Sequence, residues 1–374
     1  MYQHLGYASQ LGNGPYIRKF LMMRKLLTAI LLLIVVCVQG QEAEPEQQGF
    51  LARLLEKYNE VDTNYVDPPH YNFSAMLSTV YTYDIYKLKS NNGQSLTLAP
   101  EPSVKVGPYF GWRWIFLGYT FDLKNFGFDN SGKKEIDLSF YSSKVGIDLY
   151  YRRTGSNYKI RDVNMGKVAL NKPLEGKEFD GLSVGITGFN IYYIFNNKRF
   201  SYPAAFSQSS VQKISAGSWL AGIGYTRNSL EFDHQKLQKM IEEYSPKPTA
   251  QLDSGLMFNS VKYYDYCLTG GYAYNWAFAR YWLFAASASL GLGYKHTVGN
   301  VESARGFKLN NVNLDGIGRF AIVYNNQRWY AGASVILHGY TYHTSRFSAN
   351  NVFGYLNAYV GYNFGLRKEY RNNK

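Results

Sequence analysis

Apolar and polar side chains alternate along several stretches of the chain. In one stretch every second residue from Ile115 to Leu123 is apolar, with Gly118, Thr120 and Asp122 between them. The same alternation recurs over residues 136–141, 284–293 and 355–364. A period of two residues is that of a β-strand, whose successive side chains point to opposite faces. The chain is therefore predicted to be built from strands with one apolar face each.

Short and long connections alternate between these strands. Short ones lie at 112–114, 142–144, 196–198 and 325–327, whereas long polar ones lie at 124–134, 154–180, 233–257 and 298–308. Outer-membrane β-barrels combine short periplasmic turns with long outer loops in this way. The pattern predicts an all-β fold, a transmembrane antiparallel up-and-down β-barrel of about twelve strands, within a range of about ten to fourteen.

The alternation gives approximate bounds for each strand. They are predicted near 71–88, 95–112, 115–123, 135–142, 145–153, 182–195, 211–230, 258–274, 281–297, 309–324, 328–343 and 350–364. Two places are irregular: a bulge is predicted near Thr187 and Gly188, and the connection from Tyr202 to Gln212 is overlong.

Aromatic residues support the same architecture. The chain has 35 Tyr, 23 Phe and 6 Trp, together with 35 Gly, which favours strands and tight turns over helices. The tryptophans all fall at or near the predicted periplasmic strand ends, and indole rings prefer the membrane–water interface. We predict one aromatic girdle formed by Trp112, Trp114, Trp219, Trp276, Trp282 and Trp329.

The N-terminal region is predicted to be a leader. Arg24 and Lys25 precede an apolar run from Leu26 to Val38, which at about thirteen residues is too short for a membrane helix of about twenty. Residues 1–40 are predicted to be a leader with a Sec signal peptide, starting at Met22 or Met23 and cleaved after Gly40.

The remaining chain divides into three predicted parts. Residues 41–70 form a periplasmic segment with a short amphipathic helix around Phe50 to Tyr58, residues 71–364 form the barrel, and residues 365–374 form a basic periplasmic tail. The last strand ends in Tyr362 and Phe364, as in barrels recognised by barrel-assembly machinery. The predicted location is the outer membrane, reached through the Sec pathway.

Net charge and cysteine content bear on the binding partners and on disulfide formation. The formal net charge of +13 suits contact with anionic lipid, including lipopolysaccharide, and no motif supports nucleic-acid binding. Of the two cysteines, Cys37 lies in the predicted signal peptide, so Cys267 has no partner for a disulfide. No metal-ligand or cofactor motif occurs, and neither a metal nor a cofactor is predicted.

Several motifs resemble a known family. They are the run from Glu60 to Val66, the run from Val104 to Trp114 with the segment 116–119, and the segments 141–146 and 148–153. These resemble an uncharacterised Bacteroidetes family, domain of unknown function 4421. The resemblance implies an outer-membrane β-barrel with no established activity, so it supplies no catalytic residues.

Polar residues on the non-lipid face are the candidate site residues. The predicted lumen-facing set is Lys105, Asp122, Asp137, Asp148, Arg152, Asp265, Asp315, Arg319 and His338. Such residues either line a charged pore that selects solutes or form a paired polar network that fills the interior. The sequence leaves both interpretations open.

Three functional classes follow from these features. The first is a passive solute channel or a structural role in the envelope. The second is an outer-leaflet lipid-modifying hydrolase, in which His343 or His296 would activate a hydroxyl such as that of Ser345. The third is a binding platform for a periplasmic or surface protein, using the helix at 49–60 or the long loops.

Overall fold

The computed structural model describes residues 61–112, 115–118, 120–123, 134–154, 157–166, 171–244, 251–301, 304–343 and 346–371. The predicted signal peptide and the predicted helix around Phe50 to Tyr58 lie outside these residues. The strands are β1 (Val66–Asp67), β2 (Tyr71–Ser90), β3 (Ser95–Pro100), β4 (Ser103–Trp112), β5 (Ile115–Gly118), β6 (Phe121–Asp122), β7 (Lys134–Tyr141), β8 (Val145–Arg153), β9 (Tyr158–Asn164), β10 (Glu178–Phe179), β11 (Leu182–Ile194), β12 (Val211–Gln212), β13 (Ala216–Phe232), β14 (Phe258–Ala279), β15 (Trp282–Val301), β16 (Ala304–Asn325), β17 (Trp329–His343) and β18 (Phe347–Leu366).

Helices are few and short. They are α1 (Asn171–Leu174), α2 (Tyr202–Phe206), α3 (His234–Tyr244) and α4 (Lys368–Arg371), with a 3₁₀ turn at Ser254–Leu256. Within the described part of the chain, no helix is both long and apolar enough to cross a membrane.

The sheet is antiparallel, and its long strands follow one another up and down. β13 to β18 pair in sequence order, β18 then pairs with β2, and β11 and β8 continue the sheet from β13 to β7. Every predicted strand position holds one strand or a broken pair of strands. The predicted all-β antiparallel fold is therefore confirmed.

The sheet has two distinct ends. The turn end carries the connections at 142–144, 280–281 and 326–328 and the ends of the sheet near residues 71 and 366. The loop end carries the connections between β8 and β11 and between β13 and β14, which contain α1 and α3. Among the described residues no ladder joins β5 or β6 to β7, so the sheet is not closed at this edge.

The predicted bulge near Thr187 and Gly188 is wrong. β11 pairs with β8 and β13 without a register shift, so no bulge occurs at Thr187 and Gly188. The reason is that the interior changes along the strand. Val184 and Ile186 belong to an apolar core at the loop end, whereas Asn190, deeper inside, lines a small cavity together with Thr226 and Ser289. One unbroken alternation therefore satisfies both environments.

The predicted polar loop at 298–308 is also wrong. β15 and β16 remain paired through Val298 and Lys308, and only residues 302–303 separate the two strands. In an antiparallel hairpin the two strands form backbone hydrogen bonds with each other. Polar residues at 298–308 can therefore extend the two strands as a hairpin instead of forming a loop.

A loop-end core fills the interior beside the long connections. In this core, buried residues of β3, β9, β10 and α3 pack against the loop-end parts of the long strands. Its residues include Leu88, Leu98, Tyr158, Ile160, Phe179, Phe232, Leu237, Ile241, Phe258 and Phe347. The connections predicted to be polar loops thus carry apolar faces that pack inward. Their apolar residues are spread over elements too short to show a clear period in the sequence.

Candidate functional site

The overlong connection between β11 and β13 folds back against the inner face of the sheet at its turn end. We call residues 196–215, which contain α2, the turn-end plug. Ser201 caps α2 by accepting a hydrogen bond from the Ala204 amide, and Pro203 lies in the first turn. Tyr202, Ala204 and Ala205 of this helix are almost completely buried.

Small side chains on the inner face of the sheet make room for the plug. Ala204 and Ala205 pack against Leu283, Ala285, Ala321 and Val323 on β15 and β16. Larger side chains in place of Ala285 and Ala321 would occupy the volume that α2 fills.

Polar groups hold the plug to four strands. The Tyr202 hydroxyl lies 2.6 Å from the Ser287 hydroxyl, and Asn275 donates to the Ser201 carbonyl at 2.8 Å. The Gln208 side-chain amide donates to the Tyr359 hydroxyl at 2.6 Å, and the Gln208 backbone carbonyl accepts from Asn325 at 3.0 Å. These bonds satisfy buried polar groups and fix the plug in one position.

Charged side chains meet in the middle of the interior. Lys295 Nζ lies 2.9 Å from Asp315 Oδ1 and 3.8 Å from Asp265 Oδ2, and it donates to the Thr341 carbonyl at 2.5 Å. The Lys295 side chain is 0% exposed. A lysine so buried is held by carboxylate and carbonyl acceptors because an uncompensated charge there would be costly.

A second ion pair lies closer to the plug. Arg319 Nη2 donates to Asp148 Oδ2 at 2.5 Å, and Ser139 donates to the other oxygen of this carboxylate at 2.8 Å. The Arg319 guanidinium also lies over the Tyr192 ring and near the Tyr202 ring of the plug, 5.2 Å and 6.0 Å from their centroids. The ion pair therefore links the inner face of the sheet to the plug.

Aromatic rings separate the charged pairs from the loop-end core. The His338 ring stacks on the Phe353 ring with centroids 5.0 Å apart, and Arg152 lies 4.5 Å from the centre of the same phenyl ring. The Tyr150 and Tyr340 hydroxyls are 2.9 Å apart. We call the five residues Asp148, Asp265, Lys295, Asp315 and Arg319 the central network; aromatic side chains border it on both sides.

The remaining predicted lumen residues lie apart from this network. Lys105 on β4 and Asp122 on β6 are direct register partners, which places opposite charges side by side. Asp137 lies opposite Tyr150 in the ladder between β7 and β8, and its side chain is outside the described part of the structure.

Four tryptophans of the predicted girdle are exposed at the turn end. Trp219, Trp276, Trp282 and Trp329 have 67%, 54%, 40% and 53% of their surfaces exposed. Trp329 packs against Tyr362, and Trp282 against Tyr324. For Trp112 only the backbone is described, and Trp114 lies outside the described residues.

The hydrolase residues do not form a described site. His343 is exposed at the end of β17, His296 is half-buried on β15, and Ser345 lies outside the described residues. Among the residues that the structure describes, no group of three histidine, cysteine or acidic side chains is placed to hold a metal ion.

Two carboxyl groups at the loop end have lowered pKa values. A hydrogen bond from Lys236 of α3 lowers the pKa of the Asp180 carboxyl. Burial alone would raise the pKa of Asp253, but hydrogen bonds led by the Gly255 amide outweigh it and hold this pKa below its ordinary value. Both carboxylates tie a loop segment in place, Asp180 through Lys236 and Asp253 through the Gly255 amide.

Two interior residues, Lys295 of the central network and Tyr202 of the plug, were not among the predicted lumen-facing residues. Lys295 follows Ser287, Ser289, Gly291 and Gly293 on the inward phase of β15, so the alternation would have found it if extended. Tyr202 had no such signal, because it was placed in a connection instead of a strand.

Comparison with known proteins identifies a family. A family model described as Domain of unknown function (DUF4421) matches residues 60–364. No curated protein matches the sequence.

Solved structures give weaker likenesses. The outer membrane protease OmpT from Escherichia coli is 8% identical, with 78% of this chain and 97% of that chain covered and a TM-score of 0.37. The translocator domain of the autotransporter NalP from Neisseria meningitidis is 10% identical, with 85% and 95% covered and a TM-score of 0.30. The outer membrane protein OprG from Pseudomonas aeruginosa is 12% identical, with 80% and 98% covered and a TM-score of 0.25. Scores this low carry no argument about activity.

Proposed function

The chain belongs to the Domain of unknown function (DUF4421) family, and from that premise we propose that it is an outer-membrane β-barrel with a packed interior. It has a structural role in the envelope and does not pass solutes through its centre. The observation that carries this proposal is the burial of the central network, in which Lys295 and Arg319 are 0% and 1% exposed. Side chains lining an aqueous pore would be hydrated.

The outer face of the sheet supports placement in a membrane. Large apolar side chains on neighbouring strands are exposed there, among them Leu77, Ile136, Leu149, Ile191, Ile223, Leu268, Leu290, Leu292, Val312, Leu314, Phe320, Val352, Leu356 and Val360. A water-soluble protein rarely exposes such a continuous apolar surface, whereas lipid covers it in a barrel. In this arrangement the exposed tryptophans mark the periplasmic interface and the loop end faces outward.

The route to the membrane is part of the same proposal. The Sec signal peptide in residues 1–40 delivers the chain to the periplasm, and barrel-assembly machinery inserts it into lipid and lipopolysaccharide. The aromatic end of β18, with Tyr362 and Phe364 stacked at 6.4 Å, supplies the C-terminal strand for that step. A periplasmic or surface protein partner would bind at one of the two ends.

Cys267 provides a native probe of the interior. It lies on the inward phase of β14 and lines a cavity of about 20 Å³ together with Tyr150, Asp315 and Tyr340. This space holds about one water molecule, so a methanethiosulfonate reagent does not fit. Cys267 is half-buried, and we expect its modification in vesicles to be markedly slower than at an exposed thiol, because the reagent reaches it only after local opening.

The matched control is Ser254→Cys at the exposed 3₁₀ turn, with modification of each peptide followed by mass spectrometry. Unfolded protein must react quickly at both positions. Equal rates at Cys267 and at the introduced cysteine in the folded protein would refute the packed interior.

A further inference from the structure

A short turn between β16 and β17 places the exposed residue Arg328 at the turn end. Gln327 has a left-handed backbone conformation, with φ at +73°, and its side chain donates to Asp67 at 2.8 Å. The Asn326 side chain accepts from the amides of Arg328 and Trp329, at 3.1 Å and 2.7 Å. The Arg328 carbonyl accepts a hydrogen bond from β18. These bonds fix the turn and hold Arg328 beside the last strand.

The Tyr362 hydroxyl of β18 positions the Arg328 guanidinium. Nε and Nη2 of Arg328 both donate to this hydroxyl, at 2.9 Å and 2.7 Å, and the guanidinium lies 5.4 Å from the centre of the phenol ring. The two bonds use one side of the planar group, so the donors of Nη1 and the second donor of Nη2 remain. No carboxylate within the described part of the chain pairs with them. This edge of the guanidinium is therefore held in place and available to an anion.

A cleft of about 260 Å³ lies over the same residues and is lined by Arg328, Trp329 and Tyr362. The centroids of the Trp329 and Tyr362 rings are 4.6 Å apart. Tyr362 lies on the outward phase of β18, as do the exposed residues Val360 and Leu356. The cleft thus has a cationic edge and two aromatic walls, and an apolar surface leads away from it along the outer face of the sheet.

Charges at the turn end are mainly basic. The acidic residues described there are Asp62, Asp67 and Glu369. Of these, Asp67 already accepts a hydrogen bond from Gln327. The exposed basic residues described there include Lys198, Arg199, Lys213, Lys368 and Arg371. A surplus of one charge raises the local concentration of ions of the opposite sign, so anions are favoured at this end of the sheet.

We propose that this cleft binds the head-group phosphate of a phospholipid from the periplasmic leaflet and prefers an anionic phospholipid. The phosphate oxygens contact Nη1 and Nη2 of Arg328 as a bidentate pair. The rings of Trp329 and Tyr362 pack against the glycerol region, and the acyl chains lie along Val360 and Leu356. The inference rests on the proposed membrane placement, in which the exposed tryptophans mark the periplasmic interface. It adds a lipid site at one defined position on the outer face.

A zwitterionic head group fits this position less well than an anionic one. Its ammonium group carries a positive charge close to the phosphate, and Arg328 and the basic residues of the turn end repel that charge. Phosphatidylglycerol presents the same phosphate without the ammonium group. The comparison of these two lipids therefore isolates the charge that the site recognises.

The test measures lipid binding to the folded full chain in detergent by native mass spectrometry, with one lipid titrated at a time. The lipids are dioleoylphosphatidylglycerol and dioleoylphosphatidylcholine, and glycerol phosphate represents the free head group. We expect phosphatidylglycerol to bind about three- to tenfold more tightly than phosphatidylcholine, because no ammonium group opposes the bidentate contact. Glycerol phosphate at equal concentration should not displace the lipid, since it lacks the acyl chains.

Variants separate the fixed guanidinium from general charge. Arg328→Gln should abolish the preference, and Arg328→Lys should lose most of it because lysine keeps the charge without the planar fork. Tyr362→Phe should weaken the preference, since the guanidinium loses the hydroxyl that positions it. The matched control is Arg280→Gln at the hairpin of β14 and β15, where the exposed guanidinium lies 4.9 Å from the centre of the Tyr281 ring. This control should keep the preference of the unaltered protein.

Three results would overturn the site: equal binding of the two lipids, displacement by glycerol phosphate at equal concentration, or equal losses for Arg328→Gln and Arg280→Gln. Insertion into phosphatidylcholine vesicles is measured separately by heat-dependent gel mobility, and every variant should insert like the unaltered protein. Failure of the unaltered chain to insert would instead overturn the membrane placement and the site with it.

Discussion

Replacing Lys295 with methionine is expected to destabilise the folded barrel by about 3–5 kcal/mol at neutral pH. The substitution leaves Asp265 and Asp315 buried without the cation that lies 3.8 Å and 2.9 Å from them. Breaking a buried ion pair from one side costs more than the pair contributes, because the remaining charge stays in a region of low polarity. Equilibrium unfolding in guanidinium chloride, with protein in lipid vesicles and followed by tryptophan fluorescence, measures the loss.

Acid should partly restore the Lys295→Met variant. Protonation of one of the two carboxyl groups removes their mutual repulsion, so the difference from the unaltered protein should shrink as the pH is lowered. Lys262→Met is the matched control, because Lys262 is an exposed residue on the outward phase of the same strand as Asp265. It should change the stability by less than about 0.5 kcal/mol. A loss for Lys295→Met that is unchanged by pH would contradict the assigned contacts.

Removing Arg319 should have an effect of similar size through a different contact. Arg319→Met leaves the Asp148 carboxylate with its Ser139 hydrogen bond but without its guanidinium partner, and we expect a loss of about 3–5 kcal/mol in the same unfolding assay. The guanidinium also contacts the rings of Tyr192 and the plug residue Tyr202, so part of the loss reflects weaker attachment of the plug.

A double-mutant cycle separates these two parts. Asp148→Leu combined with Arg319→Met removes both charges, and the double variant should be more stable than the sum of the single losses implies, by about 2 kcal/mol. Arg280→Gln, in the exposed turn between β14 and β15, serves as the control. Strictly additive losses for Asp148 and Arg319 would show that the ion pair does not couple these residues.

The alternation of side chains predicted most of the central network because it is a property of each strand alone. Asp148, Asp265, Asp315 and Arg319 were assigned to the interior from their phase. The structure pairs Arg319 with Asp148, which is 171 residues away in the sequence, and places Asp265 and Asp315 beside Lys295 of a neighbouring strand. The pairing itself was not predictable, since it depends on strand register and on the path of the sheet. The open choice between a charged pore and a paired network could therefore not be made from the sequence.

The plug and the loop-end core were not predicted because their apolar residues belong to short segments. Tyr202 to Phe206 is one turn of helix, and β10 contributes only Glu178 and Phe179 to the sheet. Periodicity needs more residues than these segments provide. Ala285 and Ala321 are small inward residues opposite α2, but in the sequence alone nothing links these two alanines to the plug.

The central claim is that side chains close the interior to solutes, and single-channel recording tests it most directly. The purified full chain, shown to be folded by heat-dependent gel mobility, is reconstituted in a planar bilayer under an applied voltage. With the plug, the central network and the loop-end core in place, we predict a flat current trace without unitary steps. Steady, reproducible steps from the folded protein would contradict the account and would assign a conducting pore to this barrel.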